Sequence, residues 1–228
     1  MSLLNRISVS TGPAEYAEPY DEHSLLKMPA NALVNIVYLL IGVCWLCRIL
    51  CMSPLPGGWW WYAGYASGGM LYGIIQFTRI VSQNRVAVIA DQWTTLPFFS
   101  GVAAWSLAIL CGDAVLPWQA GIFVVSILSY LSVPWIGYEP VLGIHILAAI
   151  IAGSAVLHRT ACAGLFPFIA TLLCSFFFIS LKLLDHRLSR FALFRRLTGH
   201  FWSKIADALQ IHFILLFFSA SSAHGGMG

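Results

Sequence analysis

Sixteen residues near the C-terminus, TGHFWSKIADALQIHF from Thr198 to Phe213, carry the side chains best suited to chemistry. His200, Lys204, Asp207 and His212 fall within about four helical turns of an otherwise lipid-like stretch. His200-x-x-x-Lys204 has the one-turn spacing that places two side chains on one helix face. With two histidines it would be a zinc hairpin. Lysine is a cation at neutral pH and opposes a bound metal. A zinc site would need His200, Asp91 and a further ligand such as His145 or His186, so zinc is disfavoured and no cofactor is expected. Charge offers another arrangement. Lys204 needs a partner, which Asp91 or Asp207 can supply, and its ammonium would then occupy the space of a metal. His212 lies about 18 Å further along the helix and reads as a satisfied interior histidine.

These residues must be positioned by membrane helices. The chain has 228 residues, of which 59% are hydrophobic and 9% charged. A soluble domain carries roughly 25% charged residues. Seven apolar runs are long enough to span, at 31–52, 58–81, 86–111, 115–136, 140–157, 163–184 and 198–218. They are continuous rather than alternating, which excludes a barrel. The fold expected is an all-α membrane protein, a seven-transmembrane-helix bundle. It comprises a polar acidic tail at 1–30, a single domain at 31–218 and a short C-terminal tail at 219–228. No basic segment precedes an apolar one at the start, so no cleavable signal peptide is expected. The tail carries Glu15, Glu18, Asp21 and Glu22, and reads either as a mobile arm or as a flap over the bundle mouth.

Charge sets the orientation. Arg6, Lys27, Arg79, Arg85, Lys182, Arg187, Arg190, Arg195 and Arg196 fall on one side of a seven-span chain, and only Arg48 and Arg159 on the other. The N-terminus is therefore expected in the cytosol and the C-terminus on the non-cytosolic side. The run from Arg187 to Arg196 is first an orientation signal, with anionic-lipid contact as a second role. In this topology Asn31, Asn35, Gln76, Thr78, Asp91, Gln92, His145, Asp185, His186, His200 and Lys204 gather at the cytosolic end. The other end is nearly bare, with Asp113 and the His158–Arg159 pair in loops. Ionisable groups within a membrane usually face the bundle interior and mark function. Arg79, Lys182 and His186 are explained equally well as interfacial residues reaching for water.

Other features read as architecture. Of the six cysteines, Cys44-x-x-Cys47 matches a redox or zinc spacing but sits inside the first apolar run, where small apolar packing residues are expected. Trp59–Trp61, Trp93, Trp118 and Trp135 fit interfacial belts. Gly64-x-x-x-Gly68 and Gly69-x-x-x-Gly73 permit close helix packing. Pro97 and Pro167 imply kinks or irregular starts.

The segments MPANALVNIVYLLIG, VIADQWTTLPF and LKLLDHRLSRFALFRRLTGHFWSK closely resemble the vertebrate transmembrane protein 187 family, from about Glu15 to Phe218. That resemblance implies a multi-pass membrane protein without an activity to carry over. The chain is more distantly similar to the alkaline ceramidase and adiponectin-receptor superfamily of seven-helix membrane hydrolases. Asn31-x-x-x-Asn35, the Asp91 to Pro97 segment, Asp185 and His200-x-x-x-Lys204 stand where that superfamily has its motifs. Its zinc takes three histidines, and two of them are absent here.

The reading that follows is a non-catalytic relative of lipid hydrolases. Its cytosol-facing polar pocket, held by Asn31, Asn35, Asp91, Asp185, His200 and Lys204, would take a lipid or a membrane-protein partner. A metal-dependent lipid amidase or esterase is the alternative. No catalytic residue, metal ligand or nucleic-acid partner is expected. The membrane is left open between internal and plasma membranes. Inverted repeats that would suggest a transporter are absent, and the charge count opposes a receptor with an outside N-terminus.

Overall fold

The computed structural model describes residues 7, 9, 11–51, 58–112 and 116–225, with side chains to 223. Arg6, Asp113 and the side chain of His224 lie outside the described residues, as do the expected end of the first run at 52 and start of the fourth at 115. Among the described residues all regular structure is helical. Six helices are long and apolar enough to cross a membrane: Pro29–Leu50, Arg85–Cys111, Leu116–Ile136, Tyr138–Arg159, Leu165–Leu183 and Gly199–Ala223. The Trp59–Ser82 helix has 24 residues, enough length to span. Its glycines, tyrosines and Arg79 keep it below the hydropathy of the other six. Helices suit this setting because every backbone polar group inside them finds its partner within the segment.

Local chemistry explains the boundaries. The first helix opens on Pro29, whose missing N–H costs nothing at a helix start. It loosens at Val34 and Asn35 before Ile36–Leu50 continues. Within Leu116–Ile136 the helix tightens to a 3-10 turn over Tyr130–Ser132, just before Pro134, which has no N–H to donate. There the Ser129 and Ser132 hydroxyls donate to the carbonyls of Ser126 and Ser129, each at 2.6 Å. Pro97 sits inside the Arg85–Cys111 helix without ending it. The last helix runs past the expected end at 218 to Gly225.

The chain divides into two compact units. The described residues of 10–91 and 169–215 form one. Those of 1–9, 92–168 and 216–228 form the other. In the first unit, Ile36–Leu50 packs closely on Trp59–Ser82. A Cβ added at Gly73 would stand 2.7 Å from the Tyr38 Cβ, so only glycine allows this approach. Gly64, in the other expected small-residue motif, has nothing within 4 Å. Close packing of this helix therefore uses Gly73 and leaves Gly64 free of contact. In the second unit, Trp105 stacks on Phe218 at 4.1 Å between centroids and Phe168 meets Phe217 at 5.4 Å.

The cysteines correct the expectation of packing residues. Cys44, Cys47, Cys51, Cys111 and Cys162 are exposed and Cys174 is half-buried. A thiol is apolar enough to face lipid, so apolar character alone does not direct it inward.

Candidate functional site

All six residues expected at the pocket, Asn31, Asn35, Asp91, Asp185, His200 and Lys204, belong to the first unit and are buried. The N-terminal tail, whose residues from 10 on belong to the same unit, meets Asn31, Asp185 and His200 directly and Asp91 through Arg79. Glu18 accepts the backbone N–H groups of Ala30 and Asn31, both at 2.8 Å. A carboxylate twelve residues upstream thus caps the first helix, where orphan N–H groups and the helix dipole favour negative charge. Burial raises the Glu18 carboxyl above its ordinary range, although the two N–H groups pull it down. The Tyr16 ring meets the His200 ring edge to face, at 4.7 Å between centroids. Burial likewise raises the Tyr16 phenol. Of the two expected forms of the tail, this is the flap.

Asp185 accepts from two backbone N–H groups. Its Oδ2 takes that of Ala17 at 2.9 Å and its Oδ1 that of His200 at 2.8 Å. It thereby ties the tail to the first turn of the last helix. The fit is tight, since a Cβ on Gly199 would lie 2.6 Å from the Leu181 carbonyl oxygen and 3.0 Å from the Asp185 Cα.

The charged core is built around Arg79. Its guanidinium donates to both Asp91 and Glu15, and Gln76 also donates to Asp91. Gln76 reaches Tyr72 Oη at 2.7 Å. Reading Arg79 as an interfacial residue therefore needs correction, because it is buried and paired. The i, i+3 spacing of Gln76 and Arg79 aims both at one side. The turn between Ser82 and Arg85 then returns Asp91 to them. That spacing, beside an acidic tail, was the available signal.

Asp91, itself paired to Arg79, and Asp207 both lie within electrostatic reach of Lys204. The Lys204 Nζ lies over the Tyr72 and Phe178 rings, at 5.7 and 5.9 Å from their centroids. A cation over aromatic faces gains electrostatic stabilisation, more so where water is excluded. Asp207, the other expected partner, accepts from Tyr38 Oη at 2.5 Å. Tyr38 was absent from the sequence-level pocket because an aromatic in an apolar run carries no signal of its own. His212 accepts from Trp45 Nε1 at 3.0 Å, apart from this cluster. His145, considered as a zinc ligand, belongs to the other unit. There its ring nitrogens meet the Val141 carbonyl at 2.7 Å and Ser129 Oγ at 3.4 Å. His186 is exposed.

The cluster's chemistry follows from what is already used. Asp185 holds backbone N–H groups, Asp91 a guanidinium and Asp207 a phenol. Among the described residues no group of three or more His, Cys, Asp and Glu is placed to hold a metal. Among the described residues, the buried polar atoms without a hydrogen-bond partner include Asn31 Nδ2 and Oδ1, Asn35 Oδ1, Arg79 Nε, Thr198 Oγ1 and His200 Nε2. Asn35 spends its Nδ2 on the carbonyls of Asn31 and Ala32, at 2.9 and 3.1 Å. The site therefore offers amide and imidazole hydrogen bonding.

Comparison with known proteins places the chain in a lineage. The sequence model of the TMEM187 protein family matches residues 1–219. The human protein called Transmembrane protein 187 is 37% identical over 235 residues, covering 97% of this chain and 86% of its own. The Bos taurus protein of the same name is 36% identical over 238 residues, covering 96% and 88%. No solved structure matches.

Proposed function

The chain belongs to the TMEM187 protein family, and from that premise we propose that it binds a lipid without transforming it. It is an integral, multi-pass membrane protein. The ligand would be the uncharged polar part of a lipid, a hydroxyl or an amide, received by Asn31, Asn35 and His200 beneath the tail. One observation carries this reading. The unpartnered buried atoms of those three side chains include a donor and acceptors close to the helix start that the tail covers. Buried polar groups without partners are costly, and a ligand that satisfies them recovers that cost. The reading includes no resident metal. We also propose that Trp59–Ser82 is a seventh span, with the N-terminus in the cytosol. That assignment rests on helix length and on the distribution of basic residues.

Lipid extraction and mass spectrometry of the purified protein test the function. A hydroxyl- or amide-bearing lipid should be retained in stoichiometric amount. Asn31→Ala should lower it at least tenfold, the order expected for losing hydrogen bonds to a buried polar group. Equal retention by the variant would overturn the reading. So would stoichiometric zinc that disappears in His200→Ala, which would restore the hydrolase alternative. An epitope placed ahead of Ser10 and probed in cells with only the plasma membrane permeabilised tests the orientation.

A further inference from the structure

The connection between Leu165–Leu183 and the last helix, residues 184–198, carries no part of the tail-covered cluster beyond Asp185 and the buried Thr198. It holds Arg187, Arg190, Arg195 and Arg196, all exposed. Among the described residues none of the four makes an ion pair. No carboxylate other than Asp185 occurs between Leu184 and Thr198, and both Asp185 oxygens hold backbone N–H groups. The arginines therefore present uncompensated positive charge.

Apolar side chains are interleaved with them. Phe191 is 63% exposed and Leu193 73%, around the short turn Ala192–Phe194. Both flanking helices are long and apolar enough to cross a membrane, so the connection is held at the headgroup layer from both ends. An orientation signal requires the arginines but gives no reason for exposed Phe191 and Leu193. A segment seated in the interface requires both. Its apolar side chains enter the acyl boundary, and the planar guanidinium forks match phosphate and carboxylate oxygens.

We infer that residues 187–197 form a binding surface for anionic lipid headgroups of the leaflet in which they lie. The surface is separate from the Asn31–His200 cluster and takes a ligand of opposite character. Each arginine near an anionic surface strengthens association by about fivefold, an effect that salt screens.

The test uses the purified full chain, exchanged in an equimolar mixture of phosphatidylserine and phosphatidylcholine, with retained lipids quantified by mass spectrometry. The wild type should retain phosphatidylserine preferentially. R190Q/R195Q/R196Q should reduce that preference at least tenfold, and R190K/R195K/R196K should keep most of it. F191S/L193S should weaken it with the charge unchanged. Raising salt from about 0.05 to about 0.5 M should also reduce it. Equal retention of the two lipids by the wild type would overturn the inference, as would a preference unmoved by salt. A preference that survives in the glutamine variant would do the same. Should that variant fail to fold, the salt titration and F191S/L193S still decide. Loss of the preference in Asn31→Ala, with the arginines intact, would move anionic-lipid binding to the cluster and overturn the surface.

Discussion

The Asp185 Oδ1 accepts the backbone N–H of His200 at 2.8 Å, which holds the start of the last helix against the end of the Leu165–Leu183 segment. The other oxygen holds Ala17, so one carboxylate anchors both a helix and the tail. Asp185→Ala leaves two N–H groups without a charged acceptor. Hydrogen bonds to charged groups contribute about 1.5–3 kcal/mol each, so a loss of roughly 3–6 kcal/mol is expected in detergent unfolding. The tail should also become sensitive to limited proteolysis near Ala17. A variant with unchanged stability and a protected tail would remove Asp185 from this role.

Arg79 and Asp91 form a buried pair, and removing one partner leaves the other charge uncompensated. Arg79→Ala should cost about 3–5 kcal/mol. Arg79→Ala combined with Asp91→Asn should cost less than the sum of the two changes. Glu15→Gln should cost less than either, because Glu15 is partly exposed and solvent screens its contribution. Additive unfolding energies across the Arg79–Asp91 cycle would show that the two are not coupled.

Two glycine substitutions should separate. Gly199→Ala pushes a methyl against the Leu181 carbonyl and the Asp185 backbone, neither of which is a flexible side-chain end. A destabilisation of about 1–3 kcal/mol is expected. Gly64→Ala meets nothing within 4 Å. It should be neutral or stabilising by up to about 1 kcal/mol, since alanine orders more readily in a helix. Melting temperatures of the pair decide it, and equal shifts would contradict the packing described.

Docking of the tail should weaken as pH rises. Burial raises the Glu18 carboxyl above its ordinary 4.5 in the docked state. A raised value means that the docked tail binds the proton more tightly than the free tail does. The associated stabilisation is complete below 4.5 and is lost as pH climbs through the raised value. Hydrogen exchange of Ala30 and Asn31, followed across this window, should show faster opening at higher pH. Glu18→Gln should remove the pH dependence, while giving weaker docking because only one of its two terminal atoms accepts.

The polar residues of the first unit were legible one by one, whereas their pairing was not. Asn31, Asn35, Asp91, Asp185, His200 and Lys204 stand out because a polar side chain in an apolar run is conspicuous. Glu15, Tyr16 and Glu18 do not, because the tail has no periodicity and polar residues are unremarkable there. Tyr38 and Tyr72 are hidden for the opposite reason, since aromatics are ordinary in membrane helices. Arg79 was misjudged as interfacial because long basic side chains near helix ends so often reach for water.

The sequence by itself determined an all-helical, multi-pass membrane protein and its family, through long apolar runs and segments shared along nearly the whole chain. It also marked the polar residues that interrupt those runs, because such an interruption is visible in one dimension. Tertiary structure alone decided the partners. Asp91 goes to Arg79 because a short turn folds their helices side by side, and Lys204 is left over the rings of Tyr72 and Phe178. It also decided that the tail is seated, through a carboxylate on a helix start and a tyrosine on His200. Pairing depends on distances between segments far apart in the chain. Periodicity records the face and depth of a residue, and not which residue stands opposite.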